Sequence, residues 1–440
     1  MHFNKICVLG LGYIGLPTAS TFATHGIKVV GVDVNQQVVE TLQNGEIHIH
    51  EPGLRTLVQA ALKSGNLEIC DHPEEADAFM IAVPTPFKQQ AESDSLPANS
   101  YPLADLSYVT NAAEAIVPYL RRGNLVVLES TSPPRTTEDI LVPILEKSGL
   151  KAGADFHLAY SPERVLPGQI LRELIENARV IGGIDPASAQ AGYDLYATFV
   201  RGEIIQTTAT TAEMVKLMEN TYRDVNIAIA NEFARLAERF DIDVWEAIAL
   251  ANRHPRVEIL RPGPGVGGHC ISVDPWFLVE AAPDLTPLIH TARDVNDTQP
   301  AHVVERTRRA AGDLSGKHIA VLGLAYKPDV DDLRESPAIE VARLLIEAGA
   351  KVISYEPFKP DHQIPGIPAA LSLEAALRGS DILAILVAHT TFKNLTPAEV
   401  AALTEARTVV DTVNIWNPAL WEPAGFRISR LGVGSLDSGR

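Results

Sequence analysis

The chain has 440 residues, a length that indicates two or three domains because single hydrophobic cores stop growing at about 250–300 residues. Its composition, 46% hydrophobic and 21% charged, is that of a globular protein, and no apolar run reaches the roughly 18–20 residues of a membrane-spanning helix. The net charge of −18 disfavours nucleic acid and anionic membranes as partners.

The N-terminus and the cysteines indicate a cytoplasmic protein. The apolar run Ile6–Leu9 is too short for a signal peptide and leads into glycines, with no small-residue cleavage site. Three cysteines are too few for a disulfide framework, which is typical of a reducing compartment. An anionic ligand of so acidic a chain would need basic residues gathered locally.

The first segment predicts a strand, a tight turn and a helix. Lys5–Leu9 is a short apolar strand. Gly10, Gly12 and Gly15 follow it in the pattern Gly-x-Gly-x-x-Gly, and the residues from Pro17 onward favour a helix. Glycines at this spacing let the backbone approach a pyrophosphate at the helix N-terminus.

Asp33 strengthens the prediction of a dinucleotide site. It ends the next predicted strand, Val29–Val32, eighteen residues after Gly15. A carboxylate there accepts hydrogen bonds from ribose hydroxyls and repels a 2′-phosphate, which favours NAD over NADP. The alternative is a glycine-rich turn that serves packing alone.

Further apolar runs alternate with helical stretches over the first 205 residues. They are residues 78–83, 125–128 and 180–181. Strands that alternate with helices predict a parallel, doubly wound sheet. We therefore predict an NAD-binding domain over residues 1–205.

A long helix is predicted over residues 211–240, which contain neither Gly nor Pro and carry apolar residues at spacings of three and four. Such a helix is about 45 Å long, more than one domain needs, so we expect it to join two domains and to form a subunit contact. Lys216 and Asn220 share one face, which Arg223 continues. The stripe is either solvated or, beside an NAD domain, a clamp for a negatively charged oxygen.

Cys270 ends a loop rich in glycine and proline that begins at Pro262. Glycines bring backbone N–H groups toward a ligand, a setting that stabilises a thiolate or an oxyanion. Cys7 and Cys70 lie in or beside apolar strands, where cysteine acts as a small hydrophobic residue. A loop cysteine alone is often inert, but the glycines and the nearby Asp274 favour a reactive thiol. This loop and the long helix form the predicted central region, 206–305.

A second strand-turn-helix-strand unit echoes the first. The strands predicted for this smaller α/β domain are residues 318–323, 351–356, 382–387 and 408–410. An insertion runs from Tyr326 to Glu335. We predict that the domain covers residues 306–428 and that residues 429–440 form a tail.

Basic residues cluster near the cysteine loop and in this insertion. They are Arg253, His254, Arg256, Arg261, Lys327 and Arg334. Such residues suit a phosphate, although plain surface charge is the alternative for any one of them. No metal site is predicted, because the pairs Cys70–His72 and His269–Cys270 offer too few ligands for zinc.

Seven stretches resemble the UDP-glucose/GDP-mannose dehydrogenase family, and the resemblance covers nearly the whole chain. They are Gly10–Pro17, Val83–Pro86, Glu129–Thr131, Ser161–Glu163, Lys216 with Asn220, Gly265–Cys270 and Arg334–Ser336. The resemblance implies an α/β fold of two Rossmann-like doubly wound domains joined by a long central helix. It also implies NAD as cofactor, a UDP-sugar substrate, and a homodimer or higher homo-oligomer.

The reaction implied by the resemblance is a four-electron oxidation of the C6 alcohol of the sugar to a carboxylate. Cys270 would form a thiohemiacetal and then a thioester, Lys216 and Asn220 would stabilise the oxyanion, and Asp274 and Glu163 would order or activate water. The implied cofactor contacts are Gly10, Gly12, Ile14, Gly15, Asp33, Thr85, Thr131 and Arg334. The implied substrate contacts are Arg164, Val165, Arg223, His254, Arg256, Gly267, Tyr326 and Lys327.

Three stretches resemble family members that act on UDP-N-acetyl-D-mannosamine: Tyr160–Gly168, Asn252–Arg256 and Cys270–Trp276. Val273 stands where members specific for UDP-glucose usually carry Lys. UDP-N-acetylglucosamine is the alternative substrate, because an epimer at C2 changes few contacts. More remote alternatives are a two-electron 3-hydroxy-acid dehydrogenase, which needs no Cys270, and a non-catalytic nucleotide-sugar sensor.

Two positions depart from the family's pattern. Arg135 lies shortly after Ser132-Pro-Pro, where a glycine is usual, and we expect it to alter how that turn approaches the cofactor. Val413 lies two residues after Asp411, where a basic residue is common. We expect one contact to UDP to be missing or replaced there.

Overall fold

A computed structural model describes residues 1–49, 51–88, 101–268 and 270–434, which form two compact units. The first comprises Met1–Glu219 and Trp276–Leu285, and the second comprises Asn220–Pro275 and the described residues from Thr286 onward. In these ranges, no helix combines the length and the apolar character that crossing a bilayer requires.

The first unit is built on an eight-stranded sheet. Its strands are Lys5–Leu9 (β1), Lys28–Val32 (β2), Leu67–Cys70 (β3), Ala78–Ile81 (β4), Leu125–Leu128 (β5), His157–Tyr160 (β6), Arg179–Gly183 (β7) and Ile204–Thr208 (β8). Their order across the sheet is β3-β2-β1-β4-β5-β6-β7-β8. Strands β1 to β6 are parallel, whereas β7 is antiparallel to β6 and parallel to β8. The doubly wound sheet is confirmed, and the prediction that it is parallel throughout is wrong at β7.

Both faces of this sheet are covered, which is why its strands are continuous apolar runs. Successive side chains of a strand point to opposite faces. In β1, Ile6 and Val8 therefore join one buried cluster, and Cys7 and Leu9 join the other.

The second unit contains a five-stranded parallel sheet. Its strands are His318–Leu322 (β9), Lys351–Tyr355 (β10), Ile382–Ile385 (β11), Thr408–Asp411 (β12) and Arg427–Arg430 (β13), in the order β10-β9-β11-β12-β13. Because β13 pairs with β12, Ser429 and Leu431 are buried. The start of the predicted tail therefore belongs to the sheet, and residues 435–440 lie outside the described residues.

Helices connect the strands of both sheets. In chain order they are Gly15–Thr24 (α1), Gln36–Gln43 (α2), Leu54–Lys63 (α3), Ser107–Ile116 (α4), Val142–Leu145 (α5), Ile170–Glu176 (α6), Pro186–Tyr196 (α7), Ala209–Phe240 (α8), Val244–Ala251 (α9), Asp274–Ala281 (α10), Pro287–Asp297 (α11), Gln299–Ala311 (α12), Pro337–Glu347 (α13), Leu373–Leu377 (α14), Thr390–Lys393 (α15), Pro397–Leu403 (α16) and Pro418–Trp421 (α17). A π-helix, Thr136–Leu141, precedes α5. The predicted long helix is confirmed as α8, which is 32 residues long.

Candidate active site

Three glycines shape the turn between β1 and α1. Gly10 has φ +91°, and a Cβ there would lie 2.6 Å from the carbonyl oxygen of Ala82. A Cβ at Gly15 would lie 1.8 Å from the carbonyl oxygen of Gly10, whereas one at Gly12 would meet no atom within 4 Å. Packing therefore requires Gly10 and Gly15, while Gly12 leaves space in front of α1. The half-buried Ile14 is the N-cap of this helix, and the helix dipole favours a phosphate at that end.

Asp33 lies at the end of β2 and faces this turn. Its Oδ2 accepts a hydrogen bond from the N–H of Leu11 at 3.0 Å, and its Oδ1 accepts one from the N–H of Asn35 at 2.9 Å. Each carboxylate oxygen can accept a second bond, and the side chain is half-buried rather than enclosed. The glycine turn and Asp33 fit the pyrophosphate and the ribose of NAD.

The loops after β4 and β5 are tied to each other. The Thr85 hydroxyl donates to the carbonyl oxygen of Thr131 at 2.7 Å, and the Ser130 hydroxyl donates to that of Val83 at 2.7 Å. Open α/β sheets bind ligands at the carboxyl ends of their strands. These bonds therefore hold both predicted cofactor-contacting threonines at the edge where such a ligand binds.

Arg135 adopts the backbone conformation for which glycine is suited, with φ 72°. The buried carboxylate of Glu213 stabilises it, accepting the N–H of Arg135 at 2.6 Å and that of Thr137 at 2.8 Å. The Arg135 guanidinium turns to Asp139, with N–O distances of 2.7 and 2.6 Å. The substitution thus changes a surface side chain, and the turn keeps a left-handed residue.

Glu163 and Lys216 meet in the first unit. The Lys216 ammonium donates to the backbone carbonyl oxygen of Glu163 at 2.9 Å, and both side chains are buried. The Glu163 carboxylate accepts the N–H of Arg164 at 2.7 Å through Oε1 and pairs with Arg179 Nη2 at 2.6 Å through Oε2. The Arg164 guanidinium is paired with Glu219 at 2.7 Å, and Val165 packs half-buried against the core.

Sequence reasoning missed Arg179, the first residue of β7, although one signal was present. An arginine that directly precedes the apolar pair Val180-Ile181 begins a buried strand, and a buried guanidinium needs a carboxylate partner. Glu129 is the second carboxylate on Arg179, at 3.4 Å from Nη1. Glu129 lies in one of the seven family-like stretches but was not among the predicted site residues.

In the second unit, a chain of hydrogen bonds links the cysteine loop to α8. The Asn220 amide donates to Asp274 Oδ2 at 2.6 Å, and both side chains are buried. The N–H of Asp274 in turn donates to the carbonyl oxygen of Cys270 at 2.8 Å. Asp274 is the first residue of α10, and the helix dipole favours a negative charge at that end.

Two glycines of the cysteine loop contact the insertion of the second strand-turn-helix unit. Gly268 has φ +88°, and a Cβ there would lie 2.8 Å from the Tyr326 ring. A Cβ at Gly267 would lie 2.3 Å from the carbonyl oxygen of Glu335. Elements some sixty residues apart in sequence therefore pack too closely for a side chain at either of these two positions.

The three cysteines differ in exposure. Cys270 is exposed, Cys70 is half-buried and Cys7 is buried. Burial raises the pKa of the Cys7 thiol to about 12 and raises that of Cys70 as well. Because the thiolate is the nucleophile, these two are poorly suited to reaction at neutral pH.

The basic residues of the second unit that are predicted to bind substrate or cofactor lie at or near the surface. Arg334 is held by two bonds to Asp332, of 2.8 and 2.6 Å, and Lys327 Nζ lies 5.9 Å from the centroid of the Tyr326 ring. The remaining predicted residues of this set, all exposed, are Arg223, His254 and Arg256. The backbone N–H of Arg256 donates to His254 Nδ1 at 3.3 Å.

Glu356 is the counterpart of Asp33 in the second strand-turn-helix segment, but its carboxylate is enclosed. Glu356 follows β10 and is fully buried. Its Oε2 accepts the N–H of Leu324 at 2.8 Å, the N–H of Ala325 at 2.9 Å and His389 Nε2 at 3.0 Å. This carboxylate therefore closes its own turn and presents no edge to a ribose.

The last residue of β12, Asp411, carries a second enclosed carboxylate. Asp411 accepts the N–H groups of Val413 at 3.0 Å, Ile415 at 2.8 Å and Trp416 at 2.9 Å. Val413 contributes its backbone to this turn and no charge, so the expected loss of a basic contact at this position stands as a prediction.

Comparison with known proteins covers most of the chain. Residues 4–200 match the NAD binding domain, residues 210–298 the central domain, and residues 320–418 the UDP binding domain of the UDP-glucose/GDP-mannose dehydrogenase family. The first match establishes NAD as the cofactor, in agreement with the glycine turn and Asp33.

Individual relatives are similar over nearly their full length. The UDP-N-acetyl-D-mannosamine dehydrogenase of Methanocaldococcus jannaschii is 48% identical over 434 residues, which is 98% of this chain and 97% of the relative. An NDP-N-acetyl-D-galactosaminuronic acid dehydrogenase of Ralstonia solanacearum is 47% identical, with coverage of 95% and 97%. A solved UDP-N-acetyl-mannosamine dehydrogenase of Staphylococcus aureus has 43% identity and a TM-score of 0.87, with coverage of 98% and 99%. The chain belongs to the UDP-glucose/GDP-mannose dehydrogenase family and is an NAD-dependent UDP-sugar dehydrogenase.

Proposed function

We propose that this chain oxidises the C6 alcohol of UDP-N-acetyl-D-mannosamine to the carboxylate, with Cys270 as the covalent nucleophile. The arrangement around Cys270 carries the proposal: an exposed thiol at the end of a glycine loop, tied through Asp274 to Asn220. A two-electron oxidation of an alcohol needs no such thiol. The balanced reaction consumes one water and two NAD⁺ and yields the carboxylate, two NADH and three protons.

Bound NAD supplies the hydride acceptor. The C6 alcohol first becomes an aldehyde, and the Cys270 sulfur adds to the aldehyde carbon to form a thiohemiacetal. Loss of a second hydride from that carbon gives a thioester. Water then attacks the thioester carbonyl, the bond between the carbonyl carbon and sulfur breaks, and Cys270 is regenerated as the thiol or the thiolate.

Lys216 and Asn220 are proposed to stabilise the oxygen on C6 as it gains negative charge. One of the three protons of the Lys216 ammonium is used on the Glu163 carbonyl, which fixes the position of the nitrogen. The bond to Asp274 fixes the Asn220 amide in the same way. Side chains held in place before the reaction lose no energy to reorganisation during it.

Two carboxylates, Glu163 and Asp274, are proposed to order or activate the water of the last step. Arg164, Val165, Arg223, His254, Arg256, Gly267, Tyr326 and Lys327 are proposed to bind the nucleotide-sugar, with Arg334 toward the cofactor. The names of these relatives support an N-acetylhexosamine nucleotide as substrate, and a buried Val273 in place of Lys disfavours UDP-glucose.

The test is NADH absorbance with a panel of UDP-N-acetyl-D-mannosamine, UDP-N-acetylglucosamine and UDP-glucose. We expect two NADH per UDP-N-acetyl-D-mannosamine consumed, and a ratio of one would contradict the thioester route. Cys270→Ala is expected to abolish acid formation, while Cys70→Ala removes a half-buried thiol and serves as the matched control. Normal acid formation by Cys270→Ala would refute the mechanism.

A second copy of the chain is the proposed partner. Helix α8 carries apolar side chains that are exposed in the single chain. They include Met218, Tyr222, Ile229, Phe233, Leu236 and Phe240. Exposed apolar faces of this kind are typical of subunit contacts.

A further inference from the structure

A buried charge cluster that includes Glu163 lies in the first unit, and the proposed chemistry assigns no role to its other members. Its centre is Arg179, only 5% exposed, and its two carboxylates are Glu163 at 8% and Glu129 at 3%. Ser161 and Tyr196 complete it and are fully buried. Charges this deeply buried are costly to maintain unless each is paired.

The strand directions explain why these residues meet. Glu129 directly follows β5 and Ser161 directly follows β6, so both lie at the carboxyl edge of the parallel part of the sheet. Arg179 is the first residue of β7, which runs in the opposite direction. The reversal brings the amino end of β7, and with it the guanidinium, to the edge where the proposed chemistry takes place.

The guanidinium is held on several sides. Nη1 donates to the Ser161 hydroxyl at 3.1 Å and pairs with Glu129 Oε1 at 3.4 Å. The Tyr196 hydroxyl also donates to Glu129 Oε1, and the Arg179 guanidinium carbon lies 4.3 Å from the centroid of the Tyr196 ring. Glu129 and Tyr196 thus aim the remaining arm of the guanidinium, Nη2, at Glu163.

That arm makes the shortest charged contact of the cluster, 2.6 Å to Glu163 Oε2. The N–H of Arg164 binds the other oxygen at 2.7 Å, so the Glu163 carboxylate is fixed at both ends. The backbone carbonyl of the same residue accepts the Lys216 ammonium. The position of Glu163 is therefore coupled to that of Lys216.

We propose that Arg179 is a positioning residue for the reaction: through its ion pair it holds the Glu163 carboxylate in place for the attack of water on the thioester. The proposal rests on the role of Glu163 in the proposed function. Glu129 and Tyr196 act one step further back, by orienting the guanidinium. Burial raises the pKa of Glu129 to about 7, against the opposing effect of Arg179, which contacts Glu129 at 3.4 Å.

A cleft beside the pair distinguishes this cluster from one that serves the core alone. The cleft is small, about 10 Å³, which is room for about one water molecule. Its lining includes Glu163 and Arg179 together with Pro162, Glu173 and Asn177. The ion pair therefore forms part of a surface that water reaches.

The test compares Arg179→Gln and Arg179→Lys with Glu163→Gln in the full-length protein. We expect Arg179→Gln to lower kcat about 100-fold, the effect of a misplaced catalytic group, with KM for NAD and for the UDP-sugar within about threefold of wild type. Intact-mass spectrometry after acid quench should show an acyl group on Cys270, because hydrolysis is the step that slows. Arg179→Lys keeps the positive charge without the planar guanidinium, so its kcat should be about tenfold higher than that of Arg179→Gln.

Arg306→Gln is the matched control. Arg306 is also buried and paired, with Glu238 at 3.4 Å and Ser429 at 2.9 Å, but it lies in the second unit and has no place in the proposed chemistry. We expect a lower Tm, normal kcat per folded molecule and no trapped acyl group. If Arg179→Gln is recovered unfolded, Arg179→Lys decides on the same readouts.

The outcomes separate the two proposals. Trapped acyl-enzyme in Glu163→Gln together with wild-type kcat in both Arg179 variants would overturn the positioning role alone. Normal turnover by Glu163→Gln would overturn the role of Glu163 and the positioning role with it. A kcat lowered by Arg179→Gln, without a trapped acyl group and without rescue by lysine, would mark the cluster as structural and would also overturn the proposal.

Discussion

Two glycines of the turn between β1 and α1 should respond differently to the same added methyl group: one substitution lowers the stability, and the other lowers the affinity for NAD. In Gly15→Ala the new Cβ would lie 1.8 Å from the carbonyl oxygen of Gly10 and 3.0 Å from its carbon. Both contacts are with backbone, which cannot rotate away. In Gly12→Ala the Cβ meets no protein atom within 4 Å, and its φ is not in the left-handed region.

The expected magnitudes follow from these contacts. Overpacking costs about 1–3 kcal/mol, and a backbone clash belongs at the upper end, so we expect Gly15→Ala to lose about 3 kcal/mol. At about 2–4 °C per kcal/mol, its Tm should fall by roughly 6–12 °C. Gly12→Ala should stay within about 0.5 kcal/mol of wild type. Its methyl group instead enters the space into which a pyrophosphate must come, so we expect NAD to bind at least about tenfold more weakly.

Thermal denaturation and isothermal titration calorimetry with NAD measure the two effects separately. Gly12→Ala is the control for Gly15→Ala, because it adds the same methyl group to the same turn without the clash. Wild-type affinity for NAD in Gly12→Ala would refute the placement of the pyrophosphate at this turn. An unchanged Tm in Gly15→Ala would refute the packing argument.

Three further outcomes are expected. Asp33→Asn removes the charge that repels a 2′-phosphate, so the ratio of kcat/KM for NADP to that for NAD should rise at least about tenfold in initial-rate assays; an unchanged ratio would contradict the role of Asp33. Burial raises the pKa of Glu129 from 4.5 to about 7, so its contribution to the free energy of unfolding is full below pH 4.5 and is lost as pH rises through 7. The Tm of wild type should therefore fall relative to that of Glu129→Gln between pH 5 and 8, and parallel curves would argue against it. Phe233→Glu, on the exposed face of α8, should convert a dimer into a monomer by light scattering, and an unchanged mass would exclude this face as the contact.

Much of the fold could be predicted because its signals are local. The apolar runs of β1, β5 and β9 and the glycines beside them are read directly from neighbouring residues, and so is the unbroken helical period of α8. Strand direction is different, because it depends on which edge a strand joins after a connecting helix. The antiparallel β7 was missed for that reason. The predicted tail wrongly includes the last two residues of β13, because Arg427–Arg430, with two arginines, lacks an apolar run.

The candidate site divides along the same line. Cys270, Lys216 and Asp274 are recognisable from residue type, spacing and family resemblance. Arg179 and Glu129 are fifty residues apart in sequence, and only the sheet brings them together. The same holds for Gly268 and Tyr326, whose contact explains the glycine only once the loop and the insertion are seen to pack.

The different fates of Asp33 and Glu356 have a kinetic consequence. Within the described residues, the chain has two glycine turns that lead to an acid, but one acid is available to a ribose and the other is enclosed by its own turn. A single binding site for the dinucleotide cannot accept four electrons from one bound NAD, because each NAD accepts only two. On the proposed route, NADH must leave and a second NAD must bind while the half-oxidised sugar stays on the enzyme. The covalent bond to sulfur keeps the reactive aldehyde from escaping during this exchange. Turnover should therefore be inhibited by the product NADH, which competes with NAD for that binding site twice in every cycle.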